Sequence, residues 1–352
     1  MKPELVDILR CPQIGSRLEL TDARSSGTEV MEGNLRTPDG SYSYSVRGGI
    51  PRFAPASNYA DSFGLQWNHF SRTQMDSHSG RPISAERFWA VTGWTPEMIK
   101  GQWVLDVGCG SGRFAEVALS AGAKVVAVDY SSAVDACAAN LGQYEHLHVV
   151  QGDMCCLPFA PGTFSFIYCV GVIQHTPDFR RAFAGLIPML AADGHLCVDY
   201  YEKSWRNLLA PKEYLRPFTK RMEKKRLFSC IQSTLPTLLL ISNVVGKIPF
   251  AGKYLKGLVP VANYTDILPL SDQQIKEWAL LDTFDWLSPE YDNPQTPKFV
   301  REIMEAAKLV DIEVLKAGHL VGRGRRSSER TDRKSTRLNS SHVSESRMPS
   351  SA

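Results

Sequence analysis

Val104-Leu-Asp-Val-Gly-Cys-Gly-Ser-Gly-Arg-Phe-Ala115 is the stretch on which the reading of this chain turns. Val104, Leu105 and Val107 form a short apolar run, as a strand buried on both faces requires. Gly108, Gly110 and Gly112 then permit a sharp turn into a helix. Without Cβ atoms they let the main chain approach a ligand closely. Glycine spacing alone is a weak signal, because dinucleotide-binding folds also place glycines after their first strand. Two details narrow it: Asp106 stands two residues before the first glycine, and the spacing is G-x-G-x-G rather than G-x-G-x-x-G.

Further strands follow at regular intervals. Ala123-Lys-Val-Val-Ala-Val128 ends on Asp129 and Tyr130, and His148-Val-Val-Gln-Gly152 ends on Asp153 and Met154. Phe164-Ser-Phe-Ile-Tyr-Cys-Val170 precedes the loop Gly171-Val-Ile-Gln-His-Thr-Pro-Asp178, which carries His175. An amphipathic helix over 179–190 and a turn at Asp193-Gly194 lead to His195-Leu-Cys-Val-Asp-Tyr-Tyr201. A carboxylate at the tip of the second strand of a doubly wound sheet suits a ribose. Three acidic residues at successive strand ends are hard to assign to turns alone.

Together these residues resemble motif I and the following strands of the class I S-adenosylmethionine (SAM)-dependent methyltransferases. The resemblance implies a Rossmann-like, doubly wound seven-stranded α/β sheet with an antiparallel last strand. It implies a small N-terminal β-rich module and a helical insertion after the fifth strand. It also implies SAM as cofactor, held by Asp106, Gly108, Gly110, Gly112, Asp129, Tyr130, Asp153 and Met154. Asp153 is expected on the adenine amino group and the Met154 amide on a ring nitrogen.

The expected organisation is a module over 1–55, a helical lid over 56–100, the SAM core over 101–201 and a substrate cover over 202–280. The rest of the methyltransferase sheet is expected over 281–326. Residues 1–55 resemble a zinc-ribbon-like module found in activators of tRNA methyltransferases, but Cys11 is the only cysteine there. A tetrahedral zinc site needs four ligands, so the expectation is a metal-free version. Phe63-Gly-Leu-Gln-Trp67 resembles a string in bacterial methyltransferases with this front end, which makes Gln66 and Trp67 lid candidates. Ordinary core aromatics are an equally good account of that segment.

Lys220-Arg-Met-Glu-Lys-Lys-Arg226 reads as a solvated helix face, and the apolar run over 235–245 is too short to span a bilayer. A basic segment followed by an apolar one also leaves peripheral membrane contact open. Residues 281–296, rich in carboxylates, aromatics and proline, read as a loop, followed by a helix from Pro297 and a closing hairpin over 311–324. Beyond Arg326, nine serines in 26 residues and no apolar period predict a disordered tail, which also resembles translated vector sequence.

The chain has 352 residues and a formal charge of +3, of which the tail over 327–352 contributes +2. The remainder is near neutral, so no body-wide basic field argues for nucleic acid. Eight cysteines without a C-x-x-C pair, and no charged-then-apolar leader, point to a reducing cytoplasmic setting. Methyl transfer to a hydroxyl needs a general base, and His175 is the catalytic candidate. Shaping the pocket is an equal alternative for it. Tyr200, Tyr201, Asp282, Asp285 and Tyr291 are candidate contacts to a small-molecule or glycan-linked acceptor. The rival functions are an RNA methyltransferase and a non-catalytic SAM-binding scaffold.

Overall fold

The computed structural model describes residues 1–55, 57–204 and 210–328. The short helix α1 (Glu4–Ile8) leads into a meander of β1 (Glu19–Ser26), β2 (Glu29–Arg36), β3 (Ser43–Arg47) and β4 (Ile50–Arg52). Four helices follow: α2 (Asp61–His69), α3 (Asp76–Ser79), α4 (Ile83–Thr92) and α5 (Pro96–Ile99). Strands and helices then alternate through β5 (Trp103–Val107), α6 (Arg113–Ser120), β6 (Lys124–Asp129), α7 (Ala133–Leu141) and β7 (Leu147–Gln151). The series continues with β8 (Phe164–Cys169), α8 (Phe179–Leu186) and β9 (Leu190–Tyr200). Helices α9 (Pro211–Thr219), α10 (Lys224–Gly246), α11 (Gly252–Lys256), α12 (Asp272–Leu287) and α13 (Pro297–Ala306) precede the last two strands, β10 (Leu309–Ala317) and β11 (His319–Arg326).

The strands form one mixed sheet of order β1-β2-β3-β4-β7-β6-β5-β8-β9-β11-β10. Strands β5 to β9 are parallel, and β11 runs antiparallel between β9 and β10. Strands β5 to β11 make up the expected seven, and β1 to β4 of the N-terminal meander extend the sheet to eleven. The N-terminal meander is not a separate unit, because β4 joins the edge of β7 in parallel, with Arg52 opposite Gln151. Phe53 N–H reinforces that seam by donating to the Gln151 carbonyl at 2.7 Å. Cys11 is buried there, its Sγ 3.2 Å from the Tyr44 hydroxyl.

Period-two alternation divides the core into two layers. Leu105, Val107, Val126, Val128, Ile167 and Val198 face α8 and α13, and Val104, Val125, Ala127, Phe166 and Cys197 face α4, α6 and α7. A third cluster lies in the insertion, where Leu227, Ile231, Leu235 and Leu239 of α10 pack with Leu280, Phe284 and Leu287 of α12. These α10 positions repeat every four residues, the spacing of one helix face.

Residues 281–287 are helix, not loop. A capping box between Ser271 and Gln274 starts α12, and the buried Leu281, Phe284 and Leu287 at three-residue spacing carry it to Ser288. Helix α10 also exceeds the apolar run read from sequence. Its 23 residues are long and apolar enough to cross a membrane by length and composition. The expected tail lies outside the described residues, apart from Ser327 and Ser328.

Candidate active site

A cavity of about 1030 Å³ opens at the C-terminal ends of the parallel strands, the usual ligand position in such sheets. Its floor is the turn between β5 and α6 together with the ends of β6 and β8. Its cover comes from α2, α12 and the segments flanking α9 and α11.

The cofactor half of the site is built by the glycine turn and Asp129. Gly110 N–H donates to Asp129 Oδ2 at 3.0 Å, while Ser131 donates from its N–H and hydroxyl to Oδ1 at 2.8 and 2.7 Å. Oδ2, which accepts a single bond, retains acceptor capacity toward a ligand hydroxyl. Burial pushes the Asp129 carboxyl up against the pull of these donors. Gly110 has φ +52°, and a Cβ on it would lie 3.1 Å from the Trp67 indole, so glycine lets the lid helix α2 settle on the turn. Tyr130 and Met154 also line the cavity, and Tyr59 lies beside Tyr130 with ring centroids 5.2 Å apart.

Three expected cofactor residues do not line the cavity. Asp106 is buried under the turn rather than at its surface; burial pushes its carboxyl up to about 8, outweighing the Tyr168 hydroxyl and the Ala115 N–H. Gly112 is off the cavity wall: a Cβ there would meet Leu141 Cδ1 at 2.6 Å, so it serves packing of α6 on α7. Asp153 is also off the wall, where its side chain accepts from the Cys155 N–H at 2.8 Å and caps its own turn.

Gln66 and Trp67 both line the cavity. Gln66 is buried, its Nε2 donates to Asp285 Oδ1 at 3.2 Å, and its Oε1 has no partner. The expected acceptor contacts divide. Tyr201, Asp282 and Asp285 line the cavity, whereas Tyr200 and Tyr291 do not. Tyr200 points to the opposite face of β9 from Asp199 and packs on Phe179, since successive strand residues alternate faces. Tyr291 contributes its main chain instead.

That main-chain contribution orients the base candidate. His175 Nδ1 lies 3.0 Å from the Tyr291 carbonyl oxygen. A carbonyl only accepts, so Nδ1 carries the proton and the neutral ring keeps its lone pair on Nε2. Nε2 is buried without a partner, and His175 lines the cavity between the Phe63 and Tyr201 rings. The nearby Asp292 is held below the usual carboxylate range. Burial pushes it up, but the charges of Arg216 and Lys212 outweigh that effect.

Sequence reading missed a basic and aromatic wall. Arg113 follows Gly112 directly, in the very stretch that identified the turn. It donates from Nε to Ser84 at 2.8 Å and from Nη1 to Gln74 at 2.7 Å. Gln74 in turn donates to Asp282 at 3.2 Å, and the Tyr264 hydroxyl donates to the other Asp282 oxygen. Burial pushes Asp282 up to about 6 and Arg113 down to about 9. Arg87 pairs with Asp199 at 3.1 Å on the same wall. The adjacency of Arg113 to the glycine turn was the available signal. Its role depends on α4, α12 and the segment between α2 and α3 meeting there.

Residues 105–198 match the family model described as a methyltransferase domain. The match spans β5 to β9. Relatives include a ubiquinone biosynthesis O-methyltransferase of Coxiella burnetii, 28% identical over 113 residues, or 32% of this chain and 48% of that protein. A demethylmenaquinone methyltransferase of Thermobifida fusca is 29% identical over 120 residues, 33% of this chain and 51% of that protein. The chain thus spans about half the length of these curated relatives. A solved SAM-dependent methyltransferase from Aquifex aeolicus is 12% identical, with a TM-score of 0.36 over 67% of this chain and 90% of that one.

The methyltransferase domain and its cavity fit the cofactor. Gly110 leaves the turn free of a side chain, Asp129 retains acceptor capacity, and the orphaned Gln66 Oε1 offers a further acceptor at the lid.

Proposed function

We propose that this protein methylates a hydroxyl of a small polar or aromatic acceptor, with SAM as methyl donor. The observation that carries the proposal is the buried, unpartnered Nε2 of His175, held as a proton acceptor by the Nδ1 contact to Tyr291. SAM, when bound, supplies an electrophilic methyl group on a sulfonium with a good leaving group. Asp129, Tyr130, Met154 and the glycine turn hold it, and Gln66 and Trp67 exclude water from above.

His175 removes the acceptor hydroxyl proton at Nε2. The Tyr291 carbonyl keeps the ring oriented. Tyr201, Tyr264 and Trp278 present ring surface to the acceptor, while Arg113 and Asp282 offer a donor and an acceptor. The name of the Coxiella burnetii relative, a ubiquinone biosynthesis O-methyltransferase, supports a ring hydroxyl of a quinone precursor as the kind of group methylated.

The test is mass-spectrometric detection of methylated product from SAM and a panel of catechols, hydroxylated quinones and glycans. Turnover of a phenolic acceptor, lost in His175→Gln, is expected. Tight SAM binding with no turnover of any acceptor would favour a non-catalytic scaffold instead.

A further inference from the structure

Among the described residues, eleven of the sixteen exposed large apolar side chains fall within residues 211–258. The same 48 residues carry ten lysines and arginines against two glutamates, in a chain whose total charge is only +3. The rest of the molecule is therefore net negative, and cationic and apolar exposure coincide on one segment.

Their arrangement along α10 is directional. The face formed by Leu227, Ile231, Leu235 and Leu239 is committed to the cluster with α12. On the opposite side, Arg226, Thr237, Leu240 and Val244 recur at spacings of eleven, fourteen and eighteen residues, which superimpose on one helical stripe. That stripe is cationic at its start and apolar at its end. Leu240, Ile241 and Val244 are 64%, 44% and 60% exposed, and the hairpin into α11 adds Ile248, Phe250 and Tyr254. Arg221, Lys225, Arg226 and Lys247 are exposed and make no ion pair among the described residues.

We propose that this face docks the protein on the surface of a bilayer containing anionic lipid, with the α10–α11 hairpin entering the headgroup region. A helix with one apolar side and a basic flank lies in the interface in this way, and basic residues near the surface add electrostatic attraction. The packed face of α10 holds the helix to the protein body, so it rests on the bilayer rather than crossing it. A second copy of the chain is the poorer occupant: a symmetric interface would set two strongly cationic segments against each other. The face is continuous with the cavity, since Gly257, directly after α11, and Leu268, beside the exposed Ile267, belong to the wall and its rim. If the proposed methyl transfer holds, an acceptor dissolved in the bilayer has a direct route to His175.

The test is flotation of the full chain with phosphatidylcholine vesicles, with or without about one-third phosphatidylglycerol. Recovery with the anionic vesicles alone is expected, weakened by salt. It should fall about tenfold or more in Arg221→Glu/Lys225→Glu/Arg226→Glu and in Leu240→Ser/Val244→Ser/Phe250→Ser. These positions are exposed, so both variants should keep wild-type circular dichroism and SAM binding. Equal recovery of wild type and folded variants would overturn the proposal. So would a wild-type dimer that ignores vesicles and becomes monomeric in the serine variant. Neither result bears on methyl transfer, which is read separately by product formation.

Discussion

His175 donates its Nδ1 proton to the Tyr291 carbonyl 3.0 Å away, which leaves the buried Nε2 as the unpartnered acceptor of a residue that lines the cavity. One main-chain contact from the segment after α12 thereby selects the tautomer of a side chain in the loop after β8. In His175→Gln the side chain keeps polar groups but loses the basic nitrogen. The turnover number should drop by about 10²- to 10⁴-fold, the usual worth of a positioned base. SAM affinity measured by calorimetry should stay near wild type.

Asp106 gives a stability prediction with a definite sign. Burial raises its carboxyl to about 8, so the folded chain holds a proton that the unfolded chain releases near pH 4. Stability contributed by this group is therefore full below the unfolded value and is lost as pH rises through 8. Asp106→Asn keeps a neutral donor and acceptor of the same shape. Thermal melts should show the variant gaining on wild type by several degrees between pH 5 and pH 8. A constant difference across that range would count against a buried, protonated Asp106.

Gly112, in the turn after β5, and Gly171, in the loop after β8, should be unequal. Gly112→Ala forces a Cβ to 2.6 Å from Leu141 Cδ1 at φ +95°, a clash added to backbone strain. A loss of about 2–4 kcal/mol in denaturant titration is expected. Gly171 has φ +79° but open space around its Cβ, so Gly171→Ala should cost only about 1–2 kcal/mol.

The parallel strands were legible because β-branched runs such as residues 123–128 are buried on both faces and end in acidic residues. Gln66, Trp67, Asp129 and His175 were legible because each lies at a strand end or in an aromatic string that the sheet topology brings to one edge. What was not legible depends on distant pairing. The contact of Arg52 with Gln151 crosses 99 residues and turns the expected N-terminal unit into part of the sheet. Tyr200 and Tyr201 looked equivalent, yet alternation along β9 buries one and exposes the other to the cavity. The prolines and carboxylates over 281–296 suggested a loop, while the apolar spacing that makes residues 281–287 helical shows only against α10.

Binding of SAM is the most direct test of the account, by calorimetric titration of wild type and Asp129→Ala. The account predicts an affinity in the micromolar range for wild type. It predicts a loss of about ten- to a hundredfold in the variant, as expected for removal of a charge-assisted acceptor. No binding to a folded wild-type protein, or equal binding by a folded Asp129→Ala, would contradict it.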